Sequence, residues 1–427
     1  MKKLVLAALT AATTATTVFA QGDNIMSIEK RLKALEEQNQ ELIDEIANLR
    51  QLVVIPELGQ QQFSGLGYAA SKVYFSPKGL SIGGYGEITY QNWGNSSKKD
   101  ITDIYRFIPY IGYKFTDKII LNSEIEFEHG ANHERSGEIT VEFLYIDFLI
   151  NKWANLRVGN YLIPIGITNL MHEPIFFNSV NRPEVETKVI PSTWNENGIM
   201  LFSNTNNLDY HIGIVNGLHA TPRGDEVSFS EETWIRGGRQ AGAKAIAENF
   251  AIVASLNYTG IDGLYAGASF YRGNSGQGET DASGNKIDGT VTLWDVHVKY
   301  NWKGFEVVGL YTRGTLSDAD KISTVNGQII AEEVYGYYLN LSYDVYQLID
   351  KGSSWSLPVF ARYEKFDTHA KVPSGFTKNK ELDKTVWTVG LNFKPHPNVV
   401  LKADYQFRDN AAGDEPDVFE LGLGFIF

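Results

Sequence analysis

Residues Leu162 to Asn197 gather His172, Glu173, Asn181, Arg182, Glu184, Glu186 and Lys188 in one connection, together with Pro164, Pro174, Pro183 and Pro191. Carboxylates, an imidazole, a guanidinium and an ammonium this close in sequence offer two kinds of chemistry, proton exchange or the sorting of solutes by charge. Proton or metal chemistry would need partner motifs. His129 and His133 lie in a polar stretch without the helical spacing of a two-histidine zinc motif, and no Gly-x-Ser-x-Gly elbow or phosphate-cradling loop occurs. The absence of cysteine removes thiolate metal sites, cysteine nucleophiles and disulfides. No catalytic residue, cofactor site or metal site is therefore read from the chain. What remains is electrostatic: fixed charges along an aqueous path select ions and orient polar solutes without reacting with them.

Such a path needs walls, and from Leu80 onward the hydrophobic period is two. Val399, Leu401, Ala403, Tyr405 and Phe407 alternate with Val400, Lys402, Asp404, Gln406 and Arg408; Ile119, Leu121, Ile125 and Phe127 alternate with Asn122, Glu124, Glu126 and Glu128. A soluble sandwich would bury the apolar face, whereas an outer-membrane barrel turns it to lipid and the charges to water. Connection length decides between them. Short turns, such as Thr116-Asp117, Asn204 to Asn207 and Asn301 to Gly304, alternate strictly with long polar loops, such as His129 to Gly137, Gly217 to Ala245 and Gly273 to Asp288. This predicts an all-β fold: a sixteen-stranded antiparallel transmembrane β-barrel over residues 80–427. Gly83, Gly84 and Gly86 read as strand glycines of a curved wall. Strand parity then turns Arg106, Lys114, Arg157, Arg362, Lys402 and Arg408 inward, facing Glu87, Glu124, Glu126, Glu128, Glu142 and Glu420. Ile175-Phe176-Phe177 is too apolar for an exposed loop, so residues 162–197 are expected to fold into the lumen as a constriction.

The amino terminus carries different signals. Lys2 and Lys3, an apolar run from Leu4 and the small-residue ending Val18-Phe19-Ala20 predict a secretory signal peptide over residues 1–20. Residues 21–55 carry heptads: Ile25, Leu32, Asn39 and Ile46 on one seam, Ile28, Leu35, Leu42 and Leu49 on the other, with Arg31 and Glu36 flanking. That predicts an α-helical coiled-coil stalk, periplasmic and self-associating. Pro56 ends it, and residues 56–79 read as a linker. Beyond the first twenty positions no apolar run of about 18 residues occurs, so a spanning helix is not expected. The formal charge of -13 argues against nucleic acid as a partner.

Val158-Gly159-Asn160-Tyr161-Leu162-Ile163-Pro164-Ile165-Gly166, followed by Phe176, Asn181 and Arg182, resembles the strand-to-constriction segment of the phosphate-selective porin O and P family. A stalk joined to a barrel also looks like related trimeric, dicarboxylate-type porins. The resemblance implies a homotrimer in the bacterial outer membrane, its stalk in the periplasm, passing ions and small hydrophilic solutes through a constricted pore. The alternating final run ending on Phe427 resembles the signal read by the barrel assembly machinery. One departure stands out. This loop sets Arg182 and Lys188 against Glu173, Glu184, Glu186 and Glu196 where that family is densely basic, so phosphate selectivity does not carry over. The alternative function is a structural or adhesive barrel that tethers the envelope or binds external partners.

Overall fold

A computed structural model describes residue 31 and residues 33–42, 60–94, 96–130, 137–203, 205, 207–224, 228–350 and 353–427. The chain divides into two units, Met1–Ile55 and Pro56–Phe427. In the first, residues 31 and 33–42 are helical, with Leu35 and Leu42 exposed. The seam residues Ile25, Ile28, Leu32, Ile46 and Leu49, like the expected signal peptide, lie outside the described residues.

The second unit is a closed antiparallel barrel. Its first half comprises β1 (Gly79–Trp93), β2 (Ile101–Thr116), β3 (Ile119–Glu128), β4 (Glu138–Phe148), β5 (Asn155–Leu162), β6 (Asn195–Phe202), β7 (Leu208–Asn216) and β8 (Phe250–Tyr258). The second comprises β9 (Leu264–Asn274), β10 (Thr290–Trp302), β11 (Phe305–Leu316), β12 (Glu333–Asp344), β13 (Pro358–Lys371), β14 (Asp383–His396), β15 (Val399–Asn410), the two-residue β16 (Gly413–Asp414) and β17 (Val418–Ile426). Each long strand pairs with the next, β15 pairs with β17, and β17 closes on β1 from Tyr85↔Ile426 to Trp93↔Val418. Discounting β16, the wall has the sixteen strands expected from turn spacing.

The faces are inverted relative to a soluble sheet. On β15, Leu401 and Phe407 are 46% and 50% exposed, while Lys402, Asp404 and Gln406 between them are buried. An apolar outside is stable only against lipid. Aromatic rings mark its border: Trp294, Tyr311, Tyr337, Tyr363 and Trp387 run side by side across β10 to β14, with neighbouring ring centroids 4.8 to 6.5 Å apart. Trp294, Tyr337 and Trp387 lie toward the long-loop ends of their strands, as an interfacial girdle requires.

The stretch expected as a linker instead holds a helix, α1 (Tyr68–Phe75), inside the barrel against β1, β2 and β3. Ala69, Ala70, Val73 and Tyr74 are buried there; a side chain such as Val73 contributes about 1.5–3 kcal/mol by leaving water. Glycine lets it lie so close, because a Cβ at Gly112 of β2 would collide with Val73. A second helix, α2 (Ala319–Asn326), sits in the long connection between β11 and β12.

Candidate pore constriction

The connection between β5 and β6, residues 163–194, enters the barrel as expected; Ile163, Ile165, Leu170, Met171, Val185 and Trp194 are buried. An irregular segment placed indoors must find partners for its main-chain polar groups. Wall side chains supply them. Lys299 donates to the Phe176 carbonyl (2.9 Å), Lys394 to Ile175 (3.2 Å), and Lys402 to Phe177 and Ser179 (2.9 Å each). Asp404 accepts from the Val180 amide (2.6 Å), Glu364 from Val185 (3.2 Å) and Asp295 from Gly166 (2.9 Å). Much of the inward charge on the strands thus solvates the loop instead of facing water.

Loop and helix are locked together by Glu173. Its carboxylate accepts from the Ala70 amide at 3.0 Å, at the amino end of α1, where free N–H groups and the helix dipole favour an anion. A Cβ at Gly67 would collide with that carboxylate, so the sequence needs glycine there. Burial pushes the Glu173 carboxyl up to about 7, partly countered by the α1 amides. At the other end of α1, Lys114 donates to the Tyr74 and Ser76 carbonyls (3.1 and 3.2 Å).

The sequence-predicted lining residues separate into three groups. Asn181, Arg182, Glu184, Lys188, Arg106 and Arg408 line a cavity of about 490 Å³ at the long-loop end of the barrel. Arg362 lines a narrow cavity of about 30 Å³ beside Phe176, Phe177, Lys299 and Glu306. The rest do not line these passages. Arg157 is sealed in a bidentate pair with Asp147 (2.8 and 2.9 Å), under Tyr145. Lys114 serves α1. Glu186 accepts from the Ile167 and Thr168 amides and the Tyr338 hydroxyl (2.8, 2.7 and 2.6 Å), bracing the loop internally. Burial raises its carboxyl above the usual range, against those hydrogen bonds. Lys402 is consumed by the loop carbonyls, Glu173 by α1, and Glu124 and Glu126 are buried behind the loop with Glu142 and His172.

A third cavity, about 710 Å³, opens at the short-turn end, between Gln60, Tyr68, Ile175, Phe176, Gly263 and Lys394. The narrow cavity shares Phe177 with the outer vestibule, and Met171, Phe176, Lys299 and Glu306 with the inner one. Two wide vestibules thus flank the Phe176-Phe177 apex, and the cavity between them has room for little more than a water. Lys299, Lys394 and Arg236 were not anticipated as lining. The two lysines could have been found from strand parity; Arg236 lies in the connection between β7 and β8, where nothing in the sequence marks it.

The acidity of the chain does not reach this path. The outer vestibule carries seven basic and six acidic side chains. Most are paired: Arg106 with Glu87 (3.2 Å), Lys188 with Glu232 (2.5 Å), Lys384 with Glu415 (2.8 Å), and Arg408 with Glu184 and Glu415. Among the described residues Lys98, Arg182 and Arg236 of this set have no carboxylate partner; Lys98 lies over the Trp93 ring, Arg182 donates to the Tyr85 hydroxyl and the His172 carbonyl, and Arg236 to Ser192. Burial would raise the Glu184 carboxyl, but Arg408 beside it overcomes this and leaves it below the usual range. Its pairing thus stabilises the loop above the ordinary value of 4.5 and is lost as pH falls through the depressed value. Acidification through that depressed value should accordingly neutralise Glu184, leave Arg408 with Glu415 alone and increase anion preference, read as a shift in reversal potential that Glu184→Gln displays already at neutral pH.

No family model matches the chain. It is 37% identical over 394 residues to an uncharacterized protein of Aquifex aeolicus (strain VF5), covering 89% of this chain and 87% of that one. The fold is similar to that of the outer membrane channel DcaP of Acinetobacter baumannii, with a TM-score of 0.53 at 11% identity, over 82% of this chain and 97% of that chain. Salmonella typhi OmpF, solved with daunomycin, superposes with a TM-score of 0.48 at 11% identity over 82% and 97%.

Proposed function

We propose, for a chain that belongs to one family with the uncharacterized Aquifex aeolicus protein, a diffusion channel of the bacterial outer membrane that passes ions and small hydrophilic solutes. The fold is a porin-like barrel. The observation that carries the function is the pair of wide vestibules on either side of one narrow cavity inside a closed sixteen-stranded wall. A barrel serving only as an anchor has no need of matched openings at both ends. No bond is made or broken in this function; width and charge do the sorting.

The charge balance of the lining gives its sign. With Arg182 and Arg236 lacking carboxylate partners in the outer vestibule, anions are favoured modestly over cations, although the chain as a whole is acidic. Purified protein in a planar bilayer should show discrete conductance steps and, in a salt gradient, a reversal potential on the anion side. Arg182→Gln with Arg236→Gln should lower the permeability ratio about twofold to fivefold. A bilayer without steps would favour the structural or adhesive alternative.

The homotrimer, the signal peptide over residues 1–20 and the stalk over residues 21–55 belong to the same proposal, supported by the heptads and by the helix over residues 33–42. So does recognition by the barrel assembly machinery at the last strand, where Phe427 exchanges main-chain hydrogen bonds with Gly84 at 2.9 Å. Removing Ile25 to Val53 is expected to weaken the trimer on a native gel. Trimers of unchanged thermal resistance would show that the heptads do not hold the subunits together. The resemblance to the phosphate-selective porin O and P family adds support for a constricted pore.

A further inference from the structure

Behind the loop, on the wall of β3 and β4, lies a cluster that the passage does not use. Glu124, Glu142 and His172 bring two carboxylate oxygens and an imidazole nitrogen within 4.8 Å of one another. All three are buried, at 0%, 4% and 1% exposure. His172 Nδ1 lies 3.0 Å from the Asn169 carbonyl oxygen. A carbonyl can only accept, so Nδ1 carries the hydrogen and the lone pair stands on Nε2. That nitrogen faces Glu124 Oε1 at 3.1 Å and the Tyr110 hydroxyl at 3.3 Å. A lone pair facing a carboxylate oxygen is unfavourable unless a positive centre lies between them. Two further oxygens, Glu124 Oε2 and Glu142 Oε2, are enclosed and, apart from the facing carboxyl groups of Glu124, Glu126 and Glu142 themselves, meet no hydrogen-bond donor among the described residues. Arg106, a cation on the neighbouring strand, is engaged with Glu87 at 3.2 Å.

We propose that Glu124, Glu142 and His172 bind a first-row divalent cation of the Zn²⁺ or Mn²⁺ class, which staples the constriction loop to the barrel wall. An imidazole oriented through its other nitrogen by a backbone carbonyl is how metal-binding histidines are held. Mixed nitrogen and oxygen donors suit transition ions better than Ca²⁺ or Mg²⁺, which take oxygen alone. A dication would also occupy the idle carboxylate oxygens, whose burial without a partner is costly. The ligands come from two adjacent strands and from the loop, so the ion would tie together segments separated by only 18 to 48 positions in sequence. The site stands apart from permeation and holds whether or not the channel conducts.

The test uses the full chain, purified in detergent, dialysed against chelator and titrated with Co²⁺ at neutral pH. One Co²⁺ per chain is expected, with a visible d–d absorption that Zn²⁺ displaces. His172→Gln and Glu142→Gln should each weaken Co²⁺ binding about tenfold or more while the barrel keeps its wild-type migration on a semi-native gel. A proton shared between His172 and Glu124 would instead leave Co²⁺ unbound. Absence of the absorption in the wild-type protein overturns the site, as does unchanged affinity in correctly folded single variants.

Discussion

Replacing Phe176 and Phe177 together by glycine is expected to raise single-channel conductance about threefold or more, because resistance concentrates where a pore is narrowest. The link between the vestibules has about 30 Å³, against about 490 and 710 Å³ on its two sides. Both rings border it. The change should leave the loop seated, since Lys299 and Lys402 hold the carbonyls of these residues, which glycine retains. It does remove cation–ring contacts, Lys402 lying 3.8 Å from the Phe177 ring centroid. Planar-bilayer recording of wild-type and doubly substituted protein reads the ratio directly. Equal step sizes would mean that the resistance lies elsewhere.

Arg157→Ala should act on stability and not on conductance. The guanidinium is 1% exposed, bridges both oxygens of Asp147, and lies 3.9 Å from the Tyr145 ring centroid. Tyr74 of α1 donates to the same Asp147 at 2.7 Å, so the pair anchors the helix as well as two strands. Truncation leaves an uncompensated carboxylate in a dry site, a loss of about 3–5 kcal/mol. Urea unfolding in detergent should show the midpoint falling, and Asp147→Leu added to Arg157→Met should recover most of it, since an apolar pair leaves no charge behind. If Arg157→Ala unfolds at the wild-type midpoint, the ion pair is not an anchor.

These outcomes follow from what parity in a sequence can and cannot tell. The wall was legible because Leu401 and Lys402 obey a period of two that any barrel strand must show, and because turn length distinguishes the two ends. Inward direction was legible too: Arg106, Glu124, Arg362 and Lys402 are all buried inside. What an inward side chain meets was not. Lys402 meets loop carbonyls and Lys114 meets α1, because two irregular segments occupy the lumen and their positions depend on contacts distant in sequence, such as Glu173 with Ala70. Helix α1 escaped notice for a related reason. Six of its eight residues are buried, so no polar stripe alternates with an apolar one and no helical period is visible. The binding cluster of Glu124, Glu142 and His172 mixes two strands with a loop, and no spacing rule covers it.

The seating of α1 also bears on how the barrel assembles. Only residues 76–78 separate the helix from β1, and β1, β2 and β3 follow one another through short separations. Helix and first strands therefore form a low-contact-order nucleus that can condense early. The seam is the opposite extreme: Tyr85 must find Ile426, and closing so long a loop carries the largest entropic cost in the molecule. Helix α1 can thus be seated before the cylinder is shut, and slow refolding is expected to reside in the closure of β17 on β1.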